Sequence, residues 1–407
     1  MKRMIALILT VAMMLSLAAC SSPGSETTAG NAGGDVPGNN GTQGNGGDEN
    51  PGSSDGGLIS WKLGMMDPGA WNATSGPLYA QMEAACEALN VELMYVAADS
   101  NSAEGHIAAV QSMIAGGCDG IILLNGPLVQ GCIAQIAQMC DEAGVYWSLS
   151  WTKLIEGEDN YNACVNSPYF VSTTYEDDVH SANWCATLLG QKGCKNLTEI
   201  GFTPGNATGD MRDAGVKAGC EEYQMTIMAE ERDVNLTMTS DGGKTIMDRF
   251  ISSYPEMDGL VIAGMSQFVL SGVVSSLEEN KMQDKISVTC IDFHEYQTEY
   301  LKSGVLDGII GGHVVGTYYS LILMANIMNG TPLTDQKAII QDNFIELASG
   351  EDAETWDTYG KPGNIYSAEE TRNMMVKLNP DFTYDDLMQV IAAYSLEDIV
   401  QRAGGAN

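Results

Sequence analysis

From Trp61 onward, short apolar and β-branched runs alternate with longer segments whose apolar positions recur every three or four residues. The runs fit strands and the longer segments fit amphipathic helices. Strands are predicted at 61–66 (WKLGMM), 91–98, 119–125 and 145–150, with helices near 76–89, 103–116 and 130–143 between them. A polar, irregular stretch at 152–169 interrupts the rhythm. The alternation then resumes with a strand at YFVSTT, a helix at 176–191, the strand LTEIGF, and a helix at 211–223. A strand near 225–231, a helix at 242–253, the strand DGLVIAG and a helix at 267–280 follow. After a further strand–helix unit near 305–330, helices are predicted at 367–378 and 383–402. Such alternation implies parallel sheets covered by helices on both faces. Two sets of similar size imply two lobes.

The segment 286–294, ISVTCIDFH, is the pivot of this pattern. Ile286, Val288, Thr289, Cys290 and Ile291 are apolar or β-branched and follow a polar turn, so the segment reads as a buried parallel strand. It delivers Asp292 to its carboxyl end, where ligands sit in open α/β sheets. Asp292 either caps the helix expected in EYQTEYLKSG or contacts a ligand.

Composition narrows the partners. The 407 residues include 53 acidic and 19 basic side chains, a formal net charge of −34. That excludes the basic footprint nucleic acid needs and opposes adsorption to anionic lipid. Lys2 and Arg3, an apolar run and then Cys20 have the layout of a secretion signal. Leu17-Ala18-Ala19-Cys20 resembles the bacterial lipobox, in which the Cys is acylated and becomes the mature N-terminus. Residues 21–57 are almost all Gly, Ser, Asn, Asp, Thr and Pro, a tether reaching roughly 30 Å. Of the ten cysteines, Cys86, Cys132, Cys140, Cys185 and Cys220 fall in predicted helices beside Ala and Leu, as small core residues do. No cofactor or metal is called for. Zinc spacing is lacking, DNYNACVNS lacks the Gly and Glu of a calcium loop, and Met238 stands where a P-loop before Gly243-Lys244-Thr245 needs Gly. No Gly-x-Ser-x-Gly elbow marks a hydrolase, so no enzyme is expected.

The ordered series "AAxxLNVELMYVAADSN…IAAVQSMIAGGCDGIILLN", "RDAGVKAG", "PEMDGLVIAG", "ISVTCIDF" and "LKSGVLDGII" resembles the type I periplasmic solute-binding proteins of the ribose- and galactose-binding group. The resemblance covers roughly 60–341. It implies an α/β fold of two Rossmann-like lobes joined by a three-strand hinge. The expected organisation is a leader at 1–20, the tether at 21–57, a first lobe from 58–173 with 313–341, and a second from 174–312 with 342–407. The second lobe would carry a C-terminal helical extension. Chain crossings are implied near Thr173–Thr174, Gly312–His313 and Ile340–Asn343, with the ligand in the cleft beside them.

The resemblance also implies site residues. Trp71 stands where the family places a stacking aromatic, Asn125 where it often uses an amide, and Arg212 matches its Arg three residues before Gly215. Asp292 matches its strand-end carboxylate. The Asp-Arg pair common after the fourth strand is replaced by Ser150-Trp151-Thr152, and the Asn-Asp pair after DGLVIA by Met265-Ser266-Gln267. Trp151 offers a second stacking face, and Asp67, Gln267 and His313 are further candidates. Each has a structural alternative, such as loop packing for Trp71 or hinge packing for Trp151. The function implied is capture of a small polar ligand, foremost a sugar, for an ABC importer whose permease and ATPase are separate chains. Presentation of a bound signal to a membrane receptor and nucleoside transport stay open. The expected location is extracytoplasmic, lipid-anchored to the cell membrane. Cys20→Ala should abolish incorporation of a labelled fatty acid, because no other residue of the tether can carry the anchor.

Overall fold

The computed structural model describes residues 57–67, 72–97, 102–124 and 131–404, without the side chains of 67 and 72–75. The leader, Cys20, the tether to residue 56, Trp71 and Asn125 lie outside the described residues.

The first half builds β1 (Trp61–Asp67), α1 (Asn72–Ala88), β2 (Val91–Ala97), α2 (Ala103–Ala115), β3 (Gly120–Leu124), α3 (Ile133–Ala143), β4 (Tyr146–Ser150), α4 (Asp159–Asn166) and β5 (Phe170–Glu176). The second builds α5 (Asp178–Lys192), β6 (Asn196–Ile200), α6 (Ala207–Tyr223), β7 (Thr226–Glu231), α7 (Val234–Thr237) and α8 (Ser240–Ser253). It continues with β8 (Gly259–Ile262), α9 (Ser266–Asn280), β9 (Ser287–Ile291), α10 (Gln297–Ser303) and β10 (Gly308–Gly311). Then follow α11 (Gly316–Met328), β11 (Ala338–Asp342), β12 (Ile345–Leu347), α12 (Gly350–Tyr359), α13 (Ala368–Asn373), α14 (Tyr384–Ala393) and α15 (Leu396–Arg402).

Two six-stranded sheets result, ordered β11-β5-β4-β3-β1-β2 and β12-β10-β9-β8-β6-β7. Central strands such as β3, buried at every residue, read as continuous apolar runs because helices cover both faces. Each lobe lends the other sheet an edge: β11 pairs with β5, while β12 pairs antiparallel with β10. The chain therefore passes between lobes after β5, after β10 and after β11. The first crossing comes later than the expected Thr173–Thr174. β5 runs on to Glu176 because Thr173–Glu176 stay in register with Ile339–Asp342. Residues 174–176 and Asp342 thus belong to the first sheet, against the expected boundaries.

Helix α11 is apolar all round, and Gly316 to Asn326 are all buried. Such a helix needs cover on every side. One side packs on β3, β4 and β5, and the rest is covered by α1 and the C-terminal extension. That extension does not sit on the second lobe alone, as the sequence implied. α12 lies on α10 of the second lobe, while α13 lies on α1 of the first. The predicted helix 383–402 breaks into α14 and α15 at Tyr394-Ser395, where Ser395 starts the new helix as an N-cap. α4 and α12 carry no amphipathic stripe: α4 buries only Cys164, and α12 only Ala353 and Trp356. A local signal for α12 was present, since Ser349 caps it three residues before Asp352.

Helices α8 and α9 approach through glycines. A Cβ on Gly272 would lie 1.8 Å from the Ser240 carbonyl oxygen, and one on Gly243 would lie 2.3 Å from that of Val269. Both obstacles are backbone, so neither can swing aside. Gly272→Val should therefore cost about 3 kcal/mol or more, the upper range for overpacking, measurable by urea unfolding.

Candidate functional site

Four strands of the two sheets end in a turn with left-handed backbone. Trp151 (φ 61°) follows β4, Met265 (φ 63°) comes three residues after β8, Asp292 (φ 76°) follows β9, and Gly312 (φ 73°) follows β10. The other described non-glycine residues of this kind, Asn90, Gln224 and Lys281, all terminate helices, where the conformation is routine. For Trp, Met and Asp it costs about 1–3 kcal/mol each unless the surroundings compel it, and such residues cluster at functional sites. The strain lies at the carboxyl ends of the strands, the side on which open α/β sheets bind ligands.

Asp292 does not cap α10. That helix begins at Gln297 with no side-chain cap, and its approach is held instead by His294 N–H donating to Gln297 Oε1 at 3.0 Å. The Asp292 carboxylate turns to Arg212, whose Nη1 donates to Oδ2 at 3.3 Å. Arg212 Nε donates to Asp178 Oδ1 at 2.8 Å, and Nη1 also to the Ala263 carbonyl at 3.0 Å. The guanidinium lies over the Phe202 ring, 5.5 Å from its centroid. Arg212 is 5% exposed, so its charge must be met inside the protein. Burial works against that charge, but Asp292 and Asp178 outweigh it and hold the guanidinium above its ordinary pKa. α6 starts at Ala207, earlier than predicted, so Arg212 lies in its second turn and away from the helix's first N–H groups.

His313 stands beside this pair, with Nε2 4.0 Å from Asp292 Oδ1. Burial drives its pKa down to about 4, with Asp292 pulling the other way and Arg212 adding to the fall. The imidazole is therefore neutral at pH 7, and its Nδ1 is buried with no hydrogen-bond partner among the described residues. Trp151 meets the His313 ring edge-on at 5.6 Å, and Phe344 meets it from another side at 5.0 Å. Trp151, Arg212, Asp292 and His313 are thus brought together. Gln267 opens α9 next to Ser266, whose hydroxyl donates to the carbonyls of Ile291 and, at 2.8 Å, Asp292. Its own Oε1 is buried without a partner among the described residues. Asp67 ends β1, and its side chain is not among those described; Trp71 and Asn125 likewise lie outside them.

Sequence reasoning missed Asp178, Phe202, Ser266 and Phe344. It also missed a pair of carboxyls at the hinge. Glu176 and Asp342 are register partners at the ends of β5 and β11, and both are buried. Both oxygens of Asp342, Oε1 of Glu176, and the hydroxyls of Ser150, Thr174 and Thr317 have no hydrogen-bond partner among the described residues. Burial pushes the Asp342 carboxyl up to about 8, and neighbouring Asp178 adds to this. Burial and Asp342 push Glu176 well up too. Two adjacent buried carboxyls cannot both ionise cheaply, so the pair keeps a proton at neutral pH. Between pH 4 and 8 the native protein holds a proton that the unfolded chain has released, so stability falls as pH rises through that window. One such proton corresponds to about 1.4 kcal/mol per pH unit. Asp342→Asn should flatten the decline, read as melting temperature from pH 5 to pH 8.5.

No protein-family model and no curated protein matches the chain. Its architecture does match solved structures. An ABC transporter periplasmic solute-binding protein from Actinobacillus succinogenes with bound D-allose superposes with a TM-score of 0.60 at 17% identity, over 72% of this chain and 99% of that one. A periplasmic sugar-binding protein from Pseudomonas fluorescens gives 0.65 at 13% identity, over 83% and 99%. An ABC transporter solute-binding protein from Bacillus halodurans with bound myo-inositol gives 0.58 at 17% identity, over 75% and 99%. Two lobes built on largely parallel sheets, with the chain crossing between them to supply the edge strands β11 and β12, give this chain the fold of the type I periplasmic solute-binding proteins.

Proposed function

We propose that the chain is an extracytoplasmic solute-binding lipoprotein that captures a small polar ligand, foremost a sugar, and hands it to an ABC importer. The observation that carries this reading is Asp292. Arg212 engages its Oδ2, while Oδ1 has no donor within hydrogen-bond distance among the described residues, and the side chain is 19% exposed. A carboxylate held so, on a turn already bent out of ordinary backbone, is a preformed acceptor for hydroxyl groups. Trp151, His313 and Phe344 supply aromatic surface beside it, suited to the C–H face of a sugar ring. Gln267 adds an amide, and in this reading Asp67, Trp71 and Asn125 are further ligand contacts. Closure of the lobes excludes water and strengthens each of these hydrogen bonds. In this reading Cys20 carries the lipid, residues 21–57 the tether, and permease and ATPase are partner chains. The ligand is returned unchanged, with no enzymatic step.

A thermal-shift screen over monosaccharides, polyols and nucleosides tests the ligand class. Ligand at a hundred times its Kd should add about 2.7 kcal/mol of stability. With the ligand found, Asp292→Asn should weaken binding by about 1.5–3 kcal/mol, the worth of a hydrogen bond to a charged group. Asn tolerates the left-handed backbone, so the variant isolates the charge from added strain. Trp151→Ala should cost about 1–2 kcal/mol as a lost aromatic contact. Calorimetry showing unchanged affinity in Asp292→Asn would remove Asp292 from the site.

A further inference from the structure

The C-terminal extension is bonded to both lobes and to the hinge between them. On the second lobe, Trp356 of α12 packs edge-on against Phe293, the residue after Asp292, at 4.8 Å. Thr298 of α10 donates to Asp357 at 2.6 Å. On the first lobe, Tyr366 stacks on Tyr318 of α11 at 4.7 Å and exchanges two backbone hydrogen bonds with the buried amide of Gln81. Asn326 of α11 donates to the Met374 carbonyl and accepts from the Val376 N–H. At the hinge, the Tyr394 hydroxyl donates to the Gly312 carbonyl at 2.5 Å. Asn343, in the crossing after β11, donates to the carbonyls of Ala392 and Tyr394 at 3.2 and 3.4 Å. Arg402 of α15, stacked on the Tyr366 ring, joins α13 through Glu370, and α15 also rests on α12. The extension is therefore one packed body with attachments on either side of the crossings.

We propose that residues 349–404 form a strap that restricts lobe opening and positions the His313 side of the cleft, with Tyr394 as its positioning residue on the hinge. Any rotation at Gly312 or Asn343 moves those groups relative to Tyr394 and Ala392. The far ends of the strap are held by Phe293 and by Gln81, so the strap cannot simply follow either lobe. A Cβ on Gly312 would already lie 2.9 Å from Phe293, 3.1 Å from Ile345 and 3.2 Å from Trp356, so the hinge has little free space beside it. The resting protein then samples wide opening less than a two-lobed protein joined by its crossings alone. The expectation rests on the reading that the lobes move about this hinge. It does not depend on what the cleft binds.

The test is a pulsed electron-spin distance measurement on the ligand-free full chain. Labels are carried by non-natural amino acids at Glu156 and Ala207, both exposed and on different lobes, so the native cysteines stay unlabelled. Wild type should give one narrow distance distribution. Tyr394→Phe keeps the ring and removes one hydrogen bond, which should raise the long-distance population about fivefold while the melting temperature changes little. A chain ending at Leu347, if it folds, should shift further toward long distances. If that chain does not fold, Tyr394→Phe decides. Identical distributions in wild type and Tyr394→Phe would overturn the strap, as would a wild-type distribution already as broad as the variant's. Because no ligand is added, a sugar screen that finds nothing leaves this result readable.

Discussion

Arg212 is a full positive charge taken out of water, and three segments of the second lobe are arranged to meet it. One guanidinium ties together the start of α5 through Asp178, the turn after β8 through the Ala263 carbonyl, and the turn after β9 through Asp292. An Arg can do this because its donors form a rigid planar fork, where a Lys offers a mobile point charge. Removing either carboxylate would leave the charge under-compensated in a low-dielectric setting, where breaking a buried pair costs several kcal/mol. Asp292 is thereby held at one carboxylate oxygen, while its other oxygen has no donor within hydrogen-bond distance among the described residues.

The hinge follows a different electrostatic logic. Both Asp342 oxygens and Oε1 of Glu176 have no hydrogen-bond partner among the described residues, and the strand register sets the two carboxyls side by side. Around them runs a hydroxyl layer, with Ser148, Ser172 and Ser320 linked at 3.0 Å between the sheet and α11. Acidic and hydroxyl side chains on the inner face of a sheet are costly unless they are satisfied. Their concentration where strands pass between lobes marks a region built for something besides core stability. Beside it the Tyr394 hydroxyl donates to the Gly312 carbonyl, while Trp356 packs on Phe293 and Tyr366 on Tyr318, all three aromatics buried.

Patterning along the chain determined much of this. Apolar runs bounded by turns placed β1 to β10, though not the edge strands β11 and β12, because strand and helix period are local properties that survive without knowledge of neighbours. The same locality put Asp292 at a strand end and a strand–helix unit near 305–330, where β10 and α11 form. It missed α4 and α12: α12 rests on the Ser349 cap and two buried residues, while α4 has no side-chain cap and buries only Cys164.

Tertiary structure decided the rest. Arg212 could not be given its partners from sequence, since Asp178 is 34 residues away and Asp292 is 80, and many carboxylates compete in so acidic a chain. The Glu176–Asp342 pair exists only because β11 returns to the first sheet in one register, and a slip of β11 by one residue would turn Asp342 to the opposite face, away from Glu176. The extension's amphipathic stripe announced that it packs, but a stripe carries no address. That Tyr366 lies on one lobe, Trp356 on the other and Tyr394 on the hinge between them follows from the shapes of surfaces far apart in the chain. Local sequence determines which elements form, and long-range packing determines which charges and rings meet.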